Sequence, residues 1–376
     1  MANSLAEVTP KLLAQGLLAL RENAVMPLLV NRGYEPMAGP QGSTIDVPIP
    51  SAITAQVVSP AATPPSTADI APTSVSIALD QWYEAPFYMT DKDMMEVMEG
   101  TIPMQASEAI KSLANNIDSY ILGKYTGVYG YTGTAATTPF GSDTSDATAA
   151  RRNLNVQLAP LEPRWFVIDP DAEANALNLR AFQDMSFSGS AAGIIDGEIN
   201  RKLGFGWFMD QLLPSHTAGT ASGATTDATG YAVGATTITL AVAGTGTILT
   251  GDVFTIAGDT QTYVCVTGDA DVSDGGTVTF QPPLKVAIAT SATAITLKAT
   301  HVVNLAFHRD AFAFASRPLE NAAPGLGSLT SSAVDPVSGL TLRLEVSREH
   351  KRTRFSYDVL YGANLVRAEL ATRVAG

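Results

Sequence analysis

Apolar residues follow different rhythms in successive parts of the chain. Leu12, Leu13, Leu17, Leu18 and Leu20 recur at helical spacing and give a broad apolar face. Thr9 as N-cap and Pro10 at the first helical position predict where that helix starts, and Pro27 and Gly33 are expected to close it. Over residues 43–92 the period drops to two. Ile45, Val47 and Ile49, then Val75, Ile77 and Leu79, alternate with polar or small neighbours, which predicts two half-buried strands. The intervening SPAATPPSTADIAP is too rich in proline for a sheet interior. This stretch therefore reads as an extended two-stranded arm with a long tip. An isolated two-stranded ribbon is marginal in water, so the arm is expected to need a partner surface. Ile110, Leu113, Ala114, Ile117 and Ile121 restore the helical period over residues 101–125. At 1.5 Å per residue that helix would span roughly 33 Å.

After a polar loop (residues 126–146), ATAARRNLNVQLAP reads as a helix and RWFVIDP as a buried strand. Asp169 is placed to cap a helix with Pro170 at its first position. GFGWFMDQLLP predicts a strand with Phe205, Trp207 and Met209 on one side. The pattern then changes. Thr, Ala and Gly make up 47 of the 84 residues of 217–300, with six Asp, two Lys and neither Glu nor Arg. Short β patterns (TITLAV, DVFTIAG, TYVCV, TVTF, AITL) recur between turn signals such as DGG. That predicts a small all-β unit, and its patterned flanks make it look inserted. VVNLAF reads as a strand. Near the C-terminus Leu340, Leu342, Leu344 and Val346 alternate with Thr341, Arg343, Glu345 and Ser347, and Phe355, Tyr357, Val359 and Tyr361 alternate after the polar link REHKR, a long amphipathic hairpin.

Composition narrows the function classes. Apolar residues are 45% of the 376, enough for a core, but charged residues are only 16%, against roughly 25% in ordinary soluble domains. A chain so poor in charge has a neutral polar skin or covers much of its surface with partners. A net charge of −13 argues against gripping nucleic acid through its phosphates, though not against enclosing it. Cys265 is the single cysteine, so no intrachain disulfide and no cysteine-based metal site is expected. The opening MANSLAEVTPK has neither the basic start nor the apolar run of a secretory leader, and no run of about 18 apolar residues predicts a membrane span.

Candidate chemistry is sparse. No Gly-rich nucleotide loop, P-loop or G-x-S-x-G elbow occurs. His216, His301, His308 and His350 make no H-x-x-x-H or H-E-x-x-H pair, and His301 and His308, at strand or loop positions, read as structural. Asp269, Asp271 and Asp274 have the density of a calcium loop without its spacing or its glutamate, which favours a hairpin turn. Asp91 and Asp93 suit the first turn of a helix. Trp82, Tyr83, Phe87 and Tyr88 suit strand packing. Arg348, Lys351, Arg352 and Arg354 form the single basic cluster, a candidate contact for a partner's carboxylates or for phosphate. No catalytic, cofactor or metal residues emerge, and the chain is expected not to be an enzyme.

Taken in order, GSTIDVPIP, SVSIALDQWYEAPFYMTDKD, GFGWFMDQLLPSHTAGT, LTGDVFTIAG, QPPL, NLAFHRDAFAFASRPL and RFSYDVLYGANLVRAELA resemble segments of the major capsid proteins of tailed bacteriophages with the Hong Kong 97-like fold. The closer likeness is to the branch with an inserted β domain, typified by the Salmonella podophage coat protein. Residues 126–150 and 322–338 match nothing.

The resemblance implies an α+β fold divided into an N-terminal arm helix (1–33), an extension-loop hairpin (34–92) and a peripheral domain with a spine helix (93–150). An axial domain would be built from 151–216 and 301–335, interrupted by an inserted all-β domain (217–300). A C-terminal hairpin (336–376) would complete the body. It implies copies that assemble as hexamers and pentamers into an icosahedral virion shell in the bacterial cytoplasm. The expected partners are a scaffolding protein and a portal, with a decoration protein left open. The shell would enclose double-stranded DNA without sequence-specific binding, with no cofactor and no membrane. Trp82, Tyr83, Asp269, Asp271, Asp274, Arg348, Lys351, Arg352 and Arg354 are the candidate intersubunit contacts. The alternative is a secreted or surface β-rich adhesin or carbohydrate-binding protein, against which the missing leader and the long mid-chain helix count.

Overall fold

The computed structural model describes residues 24–34, 44–50, 72–92, 101–184, 201–321, 328–334 and 340–376, with the single positions Leu13, Ile53, Ala55, Pro60, Gly197 and Ile199. The expected N-terminal helix start, the arm tip and Asp93 lie outside the described residues. The helix that Pro27 is expected to close lies, Leu13 apart, among residues outside those described. Pro27 itself stands in the first turn of a short helix, α1 (Met26–Leu29), where a missing N–H costs nothing.

The arm is a hairpin of β1 (Thr44–Ile49) and β2 (Thr73–Ala78), in register Ile45↔Ile77 and Val47↔Val75. One expectation fails at its base. Ile45, Val47, Ile77 and Leu79 are buried against Ala313, Ala315 and Val366 of the same chain. The reason is a close crossing. At Gly362 a Cβ would run into the Ala78 carbonyl oxygen, so glycine lets the arm lie flat on the body. Asn364 Nδ2 also donates to Ser76 O at 2.9 Å.

β3 (Gln81–Thr90) leads into α2 (Thr101–Gly123), the predicted long helix, which buries Ile110, Leu113, Ala114, Ile117 and Ile121. Next come β4 (Gly130–Gly133), α3 (Ser145–Val156), β5 (Arg164–Ile168), α4 (Pro170–Asn178), α5 (Arg180–Gln183), β6 (Gly206–Met209) and β7 (Ser215–His216). The segment of altered composition supplies β8 (Thr237–Thr239), β9 (Val253–Ile256), β10 (Thr262–Thr267), β11 (Thr277–Gln281) and β12 (Ile295–Leu297). β13 (His301–His308), β14 (Phe312–Arg317), β15 (Ser328–Val334), β16 (Thr341–Glu349), β17 (Arg352–Leu365) and β18 (Ala371–Ala375) complete the chain.

These strands make two large sheets and one small one. The central sheet runs β4-β18-β13-β5-β6, with β7 also on β13. The hairpin sheet runs β14-β17-β16-β15, with β3 on β17. Both contribute to one core with α2 and α3. The pieces 301–335 and 336–376 do not stay in separate sheets. β14 and β15 leave the central sheet for the hairpin, and β18 leaves the hairpin to pair with β13. Pairing buries Ala371 to Ala375 on both faces, which is why ATRVA shows no alternation.

The small sheet runs β12-β9-β10-β11-β8, all antiparallel, over its own cluster of Ile238, Phe254, Tyr263, Val278 and Phe280. Its chain leaves the central sheet at His216 and returns at His301, which are partners in register. Cys265 is buried in it, and burial pushes the thiol up to about 12. A disulfide-exchange reagent at about pH 8 is expected to leave Cys265 untouched until denaturant is added, since only the thiolate attacks. Rapid stoichiometric reaction of the native chain would place it on an exposed surface instead.

Candidate assembly surfaces and the junction of the small sheet

β3 is an edge strand: among the described residues it pairs with β17 alone. Its alternation sends Tyr83, Ala85, Phe87 and Met89 toward α2 and the core. Phe87 stacks on Phe355 at 5.2 Å and Tyr83 on Tyr361 at 6.2 Å. The other face carries Trp82, Glu84 and Tyr88 over the outer residues of β17. Trp82 Nε1 donates to Asp358 Oδ2 at 3.1 Å, and Asp358 also receives the Arg343 guanidinium. Trp82 nonetheless stays 62% exposed and Tyr88 47%, with Tyr83 at 43% on the opposite face. Exposed aromatic surface beside an unpaired strand edge is an arrangement that accepts another chain.

The predicted basic cluster is mostly engaged within the chain. Arg348 pairs with Asp91 at 2.6 Å, Arg354 with Glu84 at 2.6 Å and Arg352 with Glu349. The Arg352 guanidinium also lies over the Tyr88 ring at 4.3 Å. Exposed pairs of this kind contribute about 0–1 kcal/mol each, so they order the surface more than they stabilise it. Lys351 sits at the hairpin turn with φ +56 and is exposed. The sequence could not show this pairing, because Glu84 and Asp91 lie some 260 positions away.

Asp269, Asp271 and Asp274 form a turn. Asp271 accepts from Ser273 N at 3.0 Å and Ser273 Oγ at 2.6 Å, and these bonds hold its carboxyl below the usual range. Asp269 accepts from Asp271 N at 3.2 Å. Asp274 lies in the short helical turn that Asp271 caps. Among the described residues no group of three or more His, Cys, Asp and Glu is placed to hold a metal ion, and no helix is long and apolar enough to cross a membrane.

The small sheet is fastened to the body by a buried polar cluster that sequence reading missed. His216 Nε2 donates to Asp252 Oδ1 at 2.9 Å, and its Nδ1 lies 3.0 Å from the Tyr125 hydroxyl at the end of α2. Asp252, with no exposed surface, also accepts from Leu249 N at 2.7 Å and Gly219 N at 3.0 Å. Arg373 of β18, equally buried, donates to Gly251 O at 2.9 Å and Thr126 O at 3.1 Å. Burial pulls its guanidinium down to about 10, which leaves it a cation at neutral pH. His301 packs against both His216 and Tyr131, and burial lowers its imidazole to about 4. The cluster thus joins the small sheet, the end of α2 and the C-terminal strand. The one sequence signal for it was the position of His216 and His301, one at each edge of the composition break.

No family model and no curated protein matches the sequence. Solved structures do match. A structure from Mycobacterium phage Che8 superposes with a TM-score of 0.53 at 17% identity, covering 93% of this chain and 90% of that one. The capsid structure of the cyanophage P-SCSP1u superposes at 0.52 and 12% identity, covering 93% and 86%. The chain has a phage capsid fold. At these identities the likeness is one of architecture, and it spans nearly all of both chains.

Proposed function

We propose that the chain is the major capsid protein of a tailed double-stranded DNA bacteriophage, with the Hong Kong 97-like fold and an inserted β domain. The observation that carries this reading is the capsid fold shared over 93% of the chain with the cyanophage capsid structure. In this reading residues 1–33 are the N-terminal arm, 34–92 the extension loop, 93–150 the peripheral domain, and 151–216 with 301–335 the axial domain. Residues 217–300 are the insertion and 336–376 the closing hairpin. Copies assemble as hexamers and pentamers into an icosahedral shell in the bacterial cytoplasm, with a scaffolding protein and a portal as partners. The role is structural. A net charge of −13 suits a container that does not hold its polyanionic cargo by the phosphates.

Trp82 and Tyr83 on the free edge of β3 are proposed as contacts to a neighbouring copy. Arg348, Lys351, Arg352 and Arg354 at the hairpin end would meet carboxylates of a neighbour, Lys351 most directly. Asp269, Asp271 and Asp274 would meet basic side chains of an adjacent capsomer. Changing these three aspartates together to asparagine keeps an acceptor at each position, so the thermal melt of the subunit is expected to stay nearly unchanged while shell yield or size changes. Unaltered assembly would mean that this turn touches no neighbour. The functional reading itself is tested by sedimentation of the chain co-produced with its scaffold. Particles far heavier than a dimer or tetramer are expected, and a stable monomer under those conditions would overturn the proposal.

A further inference from the structure

A cavity of about 270 Å³ opens where three parts of the chain meet: the root of α1, the side of α2 that carries Asn115 and Asp118, and the end of β6. Two carboxylates line it. Asp118, 1% exposed, accepts from Val25 N at 3.0 Å through Oδ2 and from Met26 N at 3.1 Å through Oδ1. Asp210, 5% exposed, accepts from Leu212 N at 2.8 Å through Oδ1, while its buried Oδ2 has no hydrogen-bond partner. Asn115 and Gln211, both exposed, add amides at the rim. Among the described residues no lysine or arginine lines this cavity.

We propose that Asp118 and Asp210 hold a partly hydrated divalent cation of the calcium class. A desolvated carboxylate oxygen without a donor, such as Asp210 Oδ2, is costly, and two carboxylates lining one space repel each other. A bound cation removes both costs. The proposed ligands are oxygens, which suits a hard ion rather than zinc, and the Met209 thioether that also lines the cavity is a poor ligand for such an ion. Two carboxylates fall short of a closed cage, so water must complete the coordination, and the cavity has room for several molecules at about 30 Å³ each. Calcium tolerates such an irregular shell better than magnesium does. Burial pushes Asp118 up to about 7, with the charge of Asp210 adding to it, and burial raises Asp210 as well. An ion here would tie the N-terminal segment to the long helix and the central sheet.

The test is calorimetric titration of calcium chloride into the purified full chain after chelator treatment, with magnesium chloride in parallel. It does not require shell formation. The expected result is one saturable calcium site with a Kd of about 10⁻⁴–10⁻³ M. Asp210→Asn, which keeps the Leu212 acceptor and the side-chain shape, is expected to weaken calcium at least about tenfold, on the scale of known metal-site substitutions. Its melt without metal should be no lower than that of the native chain. Asp118→Asn provides an independent variant with the same expected loss. Absence of saturation in the native chain by about 10 mM, beyond the weakest protein calcium sites, would overturn the proposal. So would unchanged calcium binding in both variants.

Discussion

Replacing Asp252 by alanine is expected to lower the stability of the chain by about 3–5 kcal/mol, the usual cost of removing one partner from a buried charged cluster. The residue has no exposed surface and accepts bonds from His216, Leu249 and Gly219. Truncation leaves these three donors unsatisfied and removes a carboxylate whose charge favours the buried Arg373 cation. The damage should be local at first. The small sheet keeps its own core around Phe254, Tyr263 and Phe280, so hydrogen exchange should rise most at residues 215–221 and 248–252 and at the end of α2. Asp252→Asn, which retains an acceptor, should cost clearly less. Urea unfolding of both variants checks the ranking. Equal and small losses would mean that apolar contacts of Tyr129, Val253 and Val264 hold the junction instead.

Deleting residues 59–72 is expected to abolish or strongly reduce shell formation while barely moving the melting temperature of the subunit. The base of the arm is fixed by Ile45, Val47, Ile77 and Leu79 against Ala313, Ala315 and Val366, and the deletion spares all of these. It also leaves both hairpin strands intact, since β1 ends at Ile49 and β2 starts at Thr73. Assembly measured by sedimentation and stability measured by calorimetry on the same preparation separate the two effects. A large fall in melting temperature with normal shells would mean that the tip belongs to the subunit core.

Elements with a strong period were legible in the sequence. The alternation of 341–347 and 355–361 became β16 and β17, and Ile110 to Ile121 became the buried stripe of α2. The Thr/Ala/Gly-rich stretch became a separate sheet because its short alternating segments close on one another. What pattern could not show was pairing at a distance. Nothing in ATRVA says that β18 crosses to β13, since a strand buried on both faces has no polar side to announce it. The buried charges were hidden for the same reason. Asp118 sits on an otherwise ordinary helix at a position next to Ile117, and only the fold brings the α1 amides onto it. Arg348, Arg352 and Arg354 looked like one free basic patch, yet two of their partners, Glu84 in β3 and Asp91 just after it, lie far upstream. The arm base misled in the opposite direction. Its apolar face needed a partner, as its pattern required, but the chain itself supplies it through the crossing at Gly362.

The claim that ties these observations together is that the chain builds a closed shell. Electron microscopy of the purified chain, co-produced with its scaffold, tests it most directly. The account predicts hollow, regular particles or ring-shaped capsomers, with density for the arm of one copy lying over the next. A field of discrete monomers, with neither rings nor shells, would contradict it.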